Sequence, residues 1–414
     1  MVSLADHPRH ALRPLRYHGA VDQGDRRRQA LYLLAVARNF EPQHHDALVT
    51  HLGSLEALLD ADETELRQAP LRGERLHRLI EARRGCDPAE DLAKLAAQGI
   101  HYIGWGDAAY PELLARLPDA PLGLFCRGDV QQMLHHGIAV VGSRKCSERG
   151  RELAAQFGRE LAELGIPVVS GMALGIDGMA HEGALSAPGP TVAVLGCGID
   201  VIYPPQHHQL YERIVERGLV ITEYPLGVEP LAEHFPQRNR IISGLARGVV
   251  VVEAGMGSGA LITARLANEQ GREVFALPGP LRSPYCAGTH NLIKTGQAKL
   301  TESVDDILAE FGTNRAALRK ERIAQGQLPR TIEAATAGSY EFPAGSDIAA
   351  SLGAGLDLSE TEHRVLEALS YEGTHVNDVV RKLGITTSDC IAHLTLLEIK
   401  GLISSASGGY YVRL

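Results

Sequence analysis

The chain contains 414 residues, of which 44% are hydrophobic, and it carries a formal net charge of −9 at pH 7. Because domains usually contain about 100 to 200 residues, this length predicts roughly three of them. The acidic balance excludes a protein that is basic throughout, so any binding of nucleic acid must depend on a local cluster of cations.

The spacing of the cysteines and the length of the apolar segments indicate the cellular compartment of the protein. The six cysteines are scattered without a CxxC pair, which fits a reduced cytosol and does not indicate a zinc site. No apolar stretch approaches the ~18 residues that a membrane span needs, and no apolar segment of the signal-peptide type follows the N-terminal arginines. We therefore expect a cytoplasmic protein with no membrane segment, metal or cofactor.

The N-terminal part of the chain is predicted to be helical. Residues 1–24 are rich in Arg, His and Pro without periodicity and predict a flexible tail. From 25 to 90, leucines recur at helical spacing, and Gly53 and Gly73 divide the pattern into short helices. This pattern predicts a small helical domain of the sterile-alpha-motif (SAM) or helix-hairpin-helix kind. Its role, in DNA binding or in protein contacts, stays open.

Residues 91–311 have the pattern of an α/β domain. A helix and a short strand at Ile100–Ile103 lead through a proline-rich connection into short apolar runs that alternate with helical patterns. This alternation predicts an open, mostly parallel sheet, whose ligands bind outside the carboxyl ends of the strands. The predicted strands are Ile138–Val141, Ile166–Val169, Thr191–Leu195, Leu219–Thr222, Gly248–Val252 and Glu273–Leu277.

Glycine turns follow four of these strands. One such turn is weak support for a site, because glycine also ends strands and helices for backbone reasons alone. Four turns on one edge, one with Arg144 and one whose strand is preceded by Arg238 and Arg240, predict a groove lined for phosphate. The candidate residues in these turns are Gly142, Ser143, Arg144, Lys145, Ser170, Gly171, Gly257, Ser258 and Gly259.

A basic segment, FPQRNR, precedes the fifth strand of this series. It places Arg238, Asn239 and Arg240 beside the aromatic ring of Phe235. Guanidinium groups suit phosphate and a ring suits a nucleobase, so all four residues are candidates for binding nucleic acid. We expect the segment to be a loop whose exposed arginines can be replaced without unfolding the domain.

No catalytic site can be defended from the sequence. A Walker A loop is missing, and GCGIDV at Gly196 supplies too few glycines for a dinucleotide fingerprint. Asp177 and His181 lie one turn apart at a predicted helix start, where capping and surface pairing are ordinary roles. Glu253 ends a strand beside a glycine turn and is expected to accept backbone N–H groups. Asp200 and Glu223 are likewise expected to have structural roles.

Several motifs resemble the DprA (Smf) DNA-processing family over about residues 107–306. They are GSR at Gly142, SGMALGIDGMAH from Ser170, VLGCGIDVIYPP from Val194, ITEYPLG from Ile221, FPQRNRIISGLA from Phe235, VVVVEAGMGSGALITARLA from Val249 and VFALPGP from Val274. The resemblance implies a Rossmann-like domain that binds and protects single-stranded DNA. It also implies a homodimer that loads the RecA recombinase during natural transformation.

The family's DNA-contacting positions correspond to residues that the turns and the basic segment already single out. They are Arg144, the turn at Ser170 and Gly171, and Phe235, Arg238, Asn239 and Arg240. The loop after Pro280 departs from the family pattern, because it reads RSPYCAGTHNLI where a Ser-x-Gly-x-Asn type of sequence is expected.

The alternative from another class is a nucleotide phosphoribohydrolase on a related Rossmann-like fold. Such enzymes use a PGGxGTxxE-type turn whose glutamate serves catalysis. Here the corresponding turn is EAGMGSGALITA, with no acid after the glycines. The sequence therefore favours a binding protein that is not an enzyme.

The C-terminal part predicts a linker followed by a winged helix. Residues 312–356 lack periodicity, apart from a short helix near Ala316–Ala324, and residues 357–414 contain three helical patterns and a hairpin. The last segment carries five basic and eight acidic residues, a net charge of −3. This charge would repel phosphates, so it favours a protein-contact or regulatory role over DNA binding.

Overall fold

The computed structural model describes residues 23–324, 359–369, 374–385, 389–390, 393–394, 396–397, 402–406 and 410–413. The chain divides into two compact units, Met1–Pro329 and Arg330–Leu414, each of which is described by itself. The predicted tail lies outside the described residues except for its last two, and so does the predicted linker from 325 onward.

Five short helices form the N-terminal part of the first unit, with a 3₁₀ helix at Glu56–Leu59. α2 ends next to Gly53 and α4 begins at Gly73, as the glycine positions predict. The helices are α1 Gln23–Ala37, α2 Pro42–Leu52, α3 Glu63–Gln68, α4 Gly73–Gly85 and α5 Pro88–Ala97.

The helical region shares its core with the sheet. Leu31, Leu33 and Leu34 of α1 are fully buried in one apolar cluster with Tyr102 and Phe125, which lie on two strands of the sheet. The ring centroid of Tyr32 lies 5.4 Å from that of Tyr102. Because this burial joins the two regions, the helices are packed against the α/β part and do not have a separate core.

A nine-stranded sheet forms the centre of the first unit. All seven predicted strands, the short one at Ile100–Ile103 included, are present within two residues of their expected ends. The prediction missed β2 and β9, because β2 follows a proline-rich connection and β9 has only two residues. The strands are β1 Ile100–Gly104, β2 Gly123–Gly128, β3 Gly137–Val141, β4 Val168–Ser170, β5 Thr191–Val194, β6 Leu219–Thr222, β7 Ala246–Val251, β8 Glu273–Ala276 and β9 Lys299–Leu300.

The strand order places a topological switch point in the middle of the sheet. The order is β1-β2-β6-β5-β4-β3-β7-β8-β9. From β6 to β9 all neighbouring strands pair in parallel, whereas β2 pairs antiparallel with β1 and β6. The chain moves outward from β3 in one direction and then returns to β7 on its other side. The crevice at the carboxyl ends of β3 and β7 is therefore where a ligand is expected.

Helices cover both faces of the sheet. Successive side chains of a strand point to opposite faces, so Val140 packs with Phe157 of one helix while Val141 packs with Ile241 of another. The helices are α6 Glu112–Ala115, α7 Glu148–Glu163, α8 Ile176–Leu185, α9 His208–Arg217, α10 His234–Leu245, α11 Ala260–Glu269, α12 Ala287–Lys294 and α13 Val304–Glu310, with short 3₁₀ helices at Val130–Leu134 and Pro205–His207.

The folded body of the first unit continues beyond the predicted end of the α/β domain at 311. A further helix, α14, spans Arg315–Ala324. Arg315 forms ion pairs with Glu160 and Asp305, and Leu318 packs against the buried cluster beneath α7. The start of the predicted linker is therefore a packed helix, because its apolar side chain and its arginine find partners far away in sequence.

The second unit contains a small sheet with helices, as the winged-helix prediction requires. Val365, Val379 and Ile403 are buried in its apolar core. The third predicted helix, at 387–400, lies largely outside the described residues. The elements are α15 Glu360–Ala368, α16 Val376–Leu383, β10 Thr374–His375, β11 Ile403–Ala406 and β12 Tyr410–Arg413, with the strand order β10-β12-β11. β10 was not predicted.

None of the described helices is long and apolar enough to cross a membrane.

Candidate nucleic-acid interface

A groove opens at the switch point of the sheet. It is a cavity of about 680 Å³ at the carboxyl ends of β3 and β7, and α10 forms one of its walls. Ten predicted site residues line it, namely Gly142, Ser143, Arg144, Lys145, Phe235, Arg238, Asn239, Gly257, Ser258 and Gly259. The turns therefore meet at one edge, as predicted from their positions after the strands.

Close packing of two turns shapes the floor of the groove. Gly175 precedes α8 with a φ of 83°, in the region that favours glycine. A Cβ atom at this position would lie 2.4 Å from the carbonyl oxygen of Ser143. Only glycine lets the turn before α8 approach the turn after β3, so the positive end of the α8 dipole lies close to the Arg144 turn.

Arg144 and Lys145 supply exposed positive charge. Within the described part of the chain, no carboxylate forms an ion pair with either side chain. The guanidinium carbon of Arg144 lies 5.1 Å from the ring centroid of Phe235, which is a cation–π distance. This arrangement places an available cation beside a partly exposed aromatic face.

Tyr203 extends the aromatic surface of the groove. Its ring centroid lies 5.4 Å from that of Phe235, with an angle of 36° between the ring planes. Both rings also border a small neighbouring cavity with Gly171 and Cys197. Sequence reasoning gave Tyr203 no role, although its position in the Tyr-Pro-Pro sequence after the β5 turn was a signal that could have been used.

The FPQRNR segment is helical, and its prediction as a loop was wrong. All six residues belong to α10, which begins at His234. Ile241, Ile242 and Leu245 of the same helix are buried against the sheet. These apolar residues hold the helix in place, so the side chains of the preceding arginines have fixed orientations. Not every one of these side chains points toward solvent.

Arg238 is buried, so the expectation of an exposed arginine was also wrong. Its side chain is 3% exposed and donates hydrogen bonds to the carbonyl oxygens of Gly171, at 2.9 Å, and Val194. Burial lowers the pKa of Arg238 to about 10, while the nearby charge of Asp177 acts in the opposite direction. Burial raises the pKa of Asp177, and Arg238 opposes this shift. Arg238 therefore neutralises a buried carboxylate beneath the groove.

Arg240 does not line the groove, and its positive charge is already paired. Its guanidinium lies 2.6 Å from Glu223 and 3.5 Å from Asp119. Burial tends to lower the pKa of Arg240, but the two carboxylates raise it above its usual value. The residue faces the other side of α10 from the groove, because residues two positions apart on a helix point in different directions.

The remaining predicted site residues are Asn239 and the Ser170–Gly171 turn. Asn239 lines the groove, and its amide lies 3.5 Å from the carbonyl oxygen of Gly259. Ser170 is fully buried and donates a hydrogen bond to the carbonyl oxygen of Val140. Its side chain therefore does not reach the groove, whereas Gly171 borders the small cavity beside it.

The acidic groups considered for catalysis have structural partners. Glu253 accepts hydrogen bonds from the backbone N–H of Ser147 at 2.8 Å and from its hydroxyl at 2.6 Å, so the expectation that it accepts backbone N–H is confirmed. Ser147 precedes α7 and caps it. Asp200 accepts from the backbone N–H of Gly227.

Asp177 and His181 are not surface residues. Asp177 is 7% exposed and accepts backbone hydrogen bonds at the start of α8, whereas His181 is fully buried and contacts Thr191 at 2.8 Å. Burial lowers the pKa of His181 to about 3, so its ring is neutral. The expected surface pairing was therefore wrong, because α8 packs this side against the sheet. Within the described residues, no group of three His, Cys, Asp or Glu side chains could hold a metal ion.

The loop after Pro280, which departs from the family pattern, contributes no residue to the lining of the groove. Its helix, α12, approaches the neighbouring turn through the backbone, where the N–H of Gly288 donates to the carbonyl oxygen of Ala254 at 2.7 Å. The groove is therefore formed without side chains from this loop.

Comparison with known proteins identifies the family. A sequence model described as DNA recombination-mediator protein A matches residues 101–312, and one described as the DprA winged helix domain matches residues 350–409. Protein Smf of Escherichia coli K12 is 39% identical over 322 residues, which cover 77% of this chain and 79% of the relative. DNA processing protein DprA of Streptococcus pneumoniae R6 is 47% identical over 205 residues, covering 50% and 72%.

A solved structure agrees with these matches. The crystal structure of DprA from Streptococcus pneumoniae has a TM-score of 0.60 and 37% identity, and the match covers 69% of this chain and 98% of that one. The sequence motifs, the switch-point groove and the C-terminal winged helix agree with one another. The chain therefore belongs to the DprA (Smf) family of DNA-processing proteins.

Proposed function

We propose that this protein binds single-stranded DNA in the switch-point groove, without reading its base sequence. The observation that carries the proposal is the exposed guanidinium of Arg144, which pairs with no carboxylate of the described residues and lies beside the partly exposed ring of Phe235. A single strand offers a phosphate for the cation and an unstacked base for the ring. A duplex offers the phosphates but keeps its bases stacked, so it should bind less tightly.

Each part of the groove has a place in this proposal. Arg144 and Lys145 would contact phosphates, and Phe235 and Tyr203 would stack against bases. Asn239 and the Gly257–Gly259 turn would accommodate the backbone, since a Cβ atom at either glycine would meet nothing within 4 Å. Arg238 has a supporting role beneath the groove, and Arg240 is not among the contacts because its charge is paired with Glu223 and Asp119.

We extend the proposal to the pathway on the basis of family membership. The relatives in Streptococcus pneumoniae and Bacillus subtilis are named DNA processing protein DprA. We propose that this protein acts in the cytoplasm as a homodimer, protects incoming single strands during natural transformation and loads the RecA recombinase on them.

We also propose that the protein is not an enzyme. The alternative, a nucleotide phosphoribohydrolase, requires a free glutamate at the glycine turn. Glu253 is the nearest acid, and its two carboxylate oxygens already accept hydrogen bonds from Ser147. Release of a base from nucleoside monophosphates by purified protein, abolished by Glu253→Gln, would instead support the enzyme.

The decisive experiment is a titration of the full-length protein with single-stranded and duplex DNA of equal length at several salt concentrations. We expect tighter binding of the single strand and little preference among base compositions. The logarithm of affinity should fall with the logarithm of salt concentration by about 0.7 per phosphate contact. Preferential binding of duplex, or binding that is sequence-selective and independent of salt, would contradict the proposal.

A further inference from the structure

The N-terminal helical region reaches the wall of the groove through one side chain. Arg38 lies between α1 and α2, and its Nη2 atom lies 2.9 Å from Nε2 of His234. His234 is the first residue of α10 and directly precedes Phe235. It is also 1% exposed, whereas Arg38 is partly exposed, so the contact is partly buried.

The contact determines which ring nitrogen of His234 carries a proton. Arginine can only donate hydrogen bonds, so Nε2 of His234 must be the acceptor. The proton is then on Nδ1, which lies 3.2 Å from the carbonyl oxygen of Gly196 and can donate to it. Both nitrogens are therefore used, and the ring is held between Arg38 and the turn after β5.

Tyr224 completes the clamp around this ring. The ring centroids of Tyr224 and His234 are 4.3 Å apart in a stacked arrangement, and the guanidinium carbon of Arg38 lies 5.5 Å from the Tyr224 centroid. The hydroxyl of Tyr224 donates to Gln237 of α10 at 3.3 Å. The clamp, defined as Arg38, Tyr224 and His234, thus holds the first turn of α10.

The backbone of Arg38 has an unusual conformation, which indicates that the arginine side chain is required at this position. Arg38 and Asn39 both have a φ of 63°, in the left-handed region where glycine is favoured. A strained conformation of a residue other than glycine persists where its surroundings require it. Here the side chain of Arg38 reaches His234, which glycine could not do.

We infer that Arg38 is a positioning residue of the DNA groove, which holds the start of α10 so that Phe235 faces the base of a bound strand. Arg38 lines neither cavity at the site, so it acts through His234 and does not touch the DNA. The helical region thereby contributes to single-strand binding. This inference depends on the proposed function.

The test compares two single strands of equal length, one normal and one with tetrahydrofuran abasic residues at every position. Arg38→Gly removes the side chain and suits the observed backbone, because glycine adopts a φ of 63° without strain. Arg26→Ala is the matched control, because Arg26 of α1 pairs with the exposed Asp60 within the helical region. We measure affinity by fluorescence anisotropy and folding by thermal unfolding.

We expect Arg38→Gly to weaken binding of the normal strand by about three- to tenfold, the effect of one lost positioning interaction. Its affinity for the abasic strand and its salt dependence should stay the same, because phosphate contacts remain. Arg26→Ala should match the unsubstituted protein on both strands. Adding Arg38→Gly to Phe235→Ala should have no further effect, because the two residues act as a unit.

Three results would overturn the inference. Equal losses on both strands, with a smaller salt dependence, would show that Arg38 contacts phosphate directly. Binding by Arg38→Gly equal to that by Arg26→Ala would contradict the inference alone and leave the proposed function standing. If the unsubstituted protein does not bind single strands, both fail. Arg38→Met, which keeps the apolar stem, gives the same comparison should the glycine variant unfold.

Discussion

The arginines of this protein differ in whether their charge is available to a ligand, although several have similar neighbours in the sequence. Arg144 follows β3 and keeps an exposed guanidinium beside Phe235, whereas Arg238 and Arg240 are enclosed by partners. A charge that is already paired or buried attracts a phosphate only weakly. Among these three residues, only Arg144 therefore meets the electrostatic requirement for a contact with DNA.

We expect Arg144→Ala to weaken single-strand binding by about tenfold and to leave the unfolding temperature unchanged, because an exposed loop arginine contributes little to stability. The salt dependence should also become shallower, since one phosphate contact is lost. Anisotropy titrations and thermal unfolding measure the two effects. Arg159→Ala, which removes an exposed arginine of α7, is the control. Equal affinities of the two variants would place the phosphate site elsewhere.

At the scale of elements, α10 connects the groove to the sheet. Its first turns carry Phe235 and Asn239 at the groove, while Arg238 between them donates to the ends of two neighbouring strand segments. Asp177 at the start of α8 supplies the negative charge that compensates this buried arginine. The position of the helix therefore depends on the hydrogen bonds of Arg238 and its electrostatic attraction to Asp177 as well as on its apolar side.

We expect Arg238→Ala to lower the free energy of unfolding by about 3 to 5 kcal/mol, because it leaves the carboxylate of Asp177 buried without a compensating charge. Urea unfolding would show a lower midpoint. Adding Asp177→Asn should recover part of the loss, because the uncompensated charge is then removed. An unchanged midpoint for Arg238→Ala would contradict the burial of this side chain, and any loss of DNA affinity in that variant reflects the fold as well as the contact.

At the scale of the whole molecule, the proposed DNA site lies entirely in the first unit. All residues that line the groove precede Ala264, and the C-terminal segment 357–414 carries a net charge of −3. The net negative charge of this segment would repel phosphates. We therefore expect the winged helix to serve contacts with other proteins and not to bind the DNA.

We expect deletion of residues 357–414 to change single-strand affinity by less than about twofold at matched salt and oligomeric state, because no phosphate contact is removed. Titrations of the full-length and truncated proteins, with light scattering to compare their oligomeric states, measure this. A large loss in a folded truncation would show that the winged helix binds DNA despite its charge. Tighter binding by the truncated protein, most evident at low salt, would show that the winged helix competes with DNA.

The sequence by itself determined the alternation of strands and helices, the glycine turns at one edge of the sheet and the family. These features are local, because a strand is visible in four or five consecutive apolar residues and a turn in its glycines. Strand positions such as β5 and β6 could therefore be predicted within a residue or two. The position of Gly142 and Gly257 on one edge follows from their places after parallel strands.

Only the tertiary structure decided which way the arginines of α10 point and what surrounds them. The partners of Arg238 and Arg240 include Gly171, Asp177, Glu223 and Asp119, which come from separate parts of the chain. The packing of α14 and the contact of Arg38 with His234 likewise join distant segments. Whether a side chain is exposed depends on what the rest of the chain places around it, and a local pattern of residues does not contain that information.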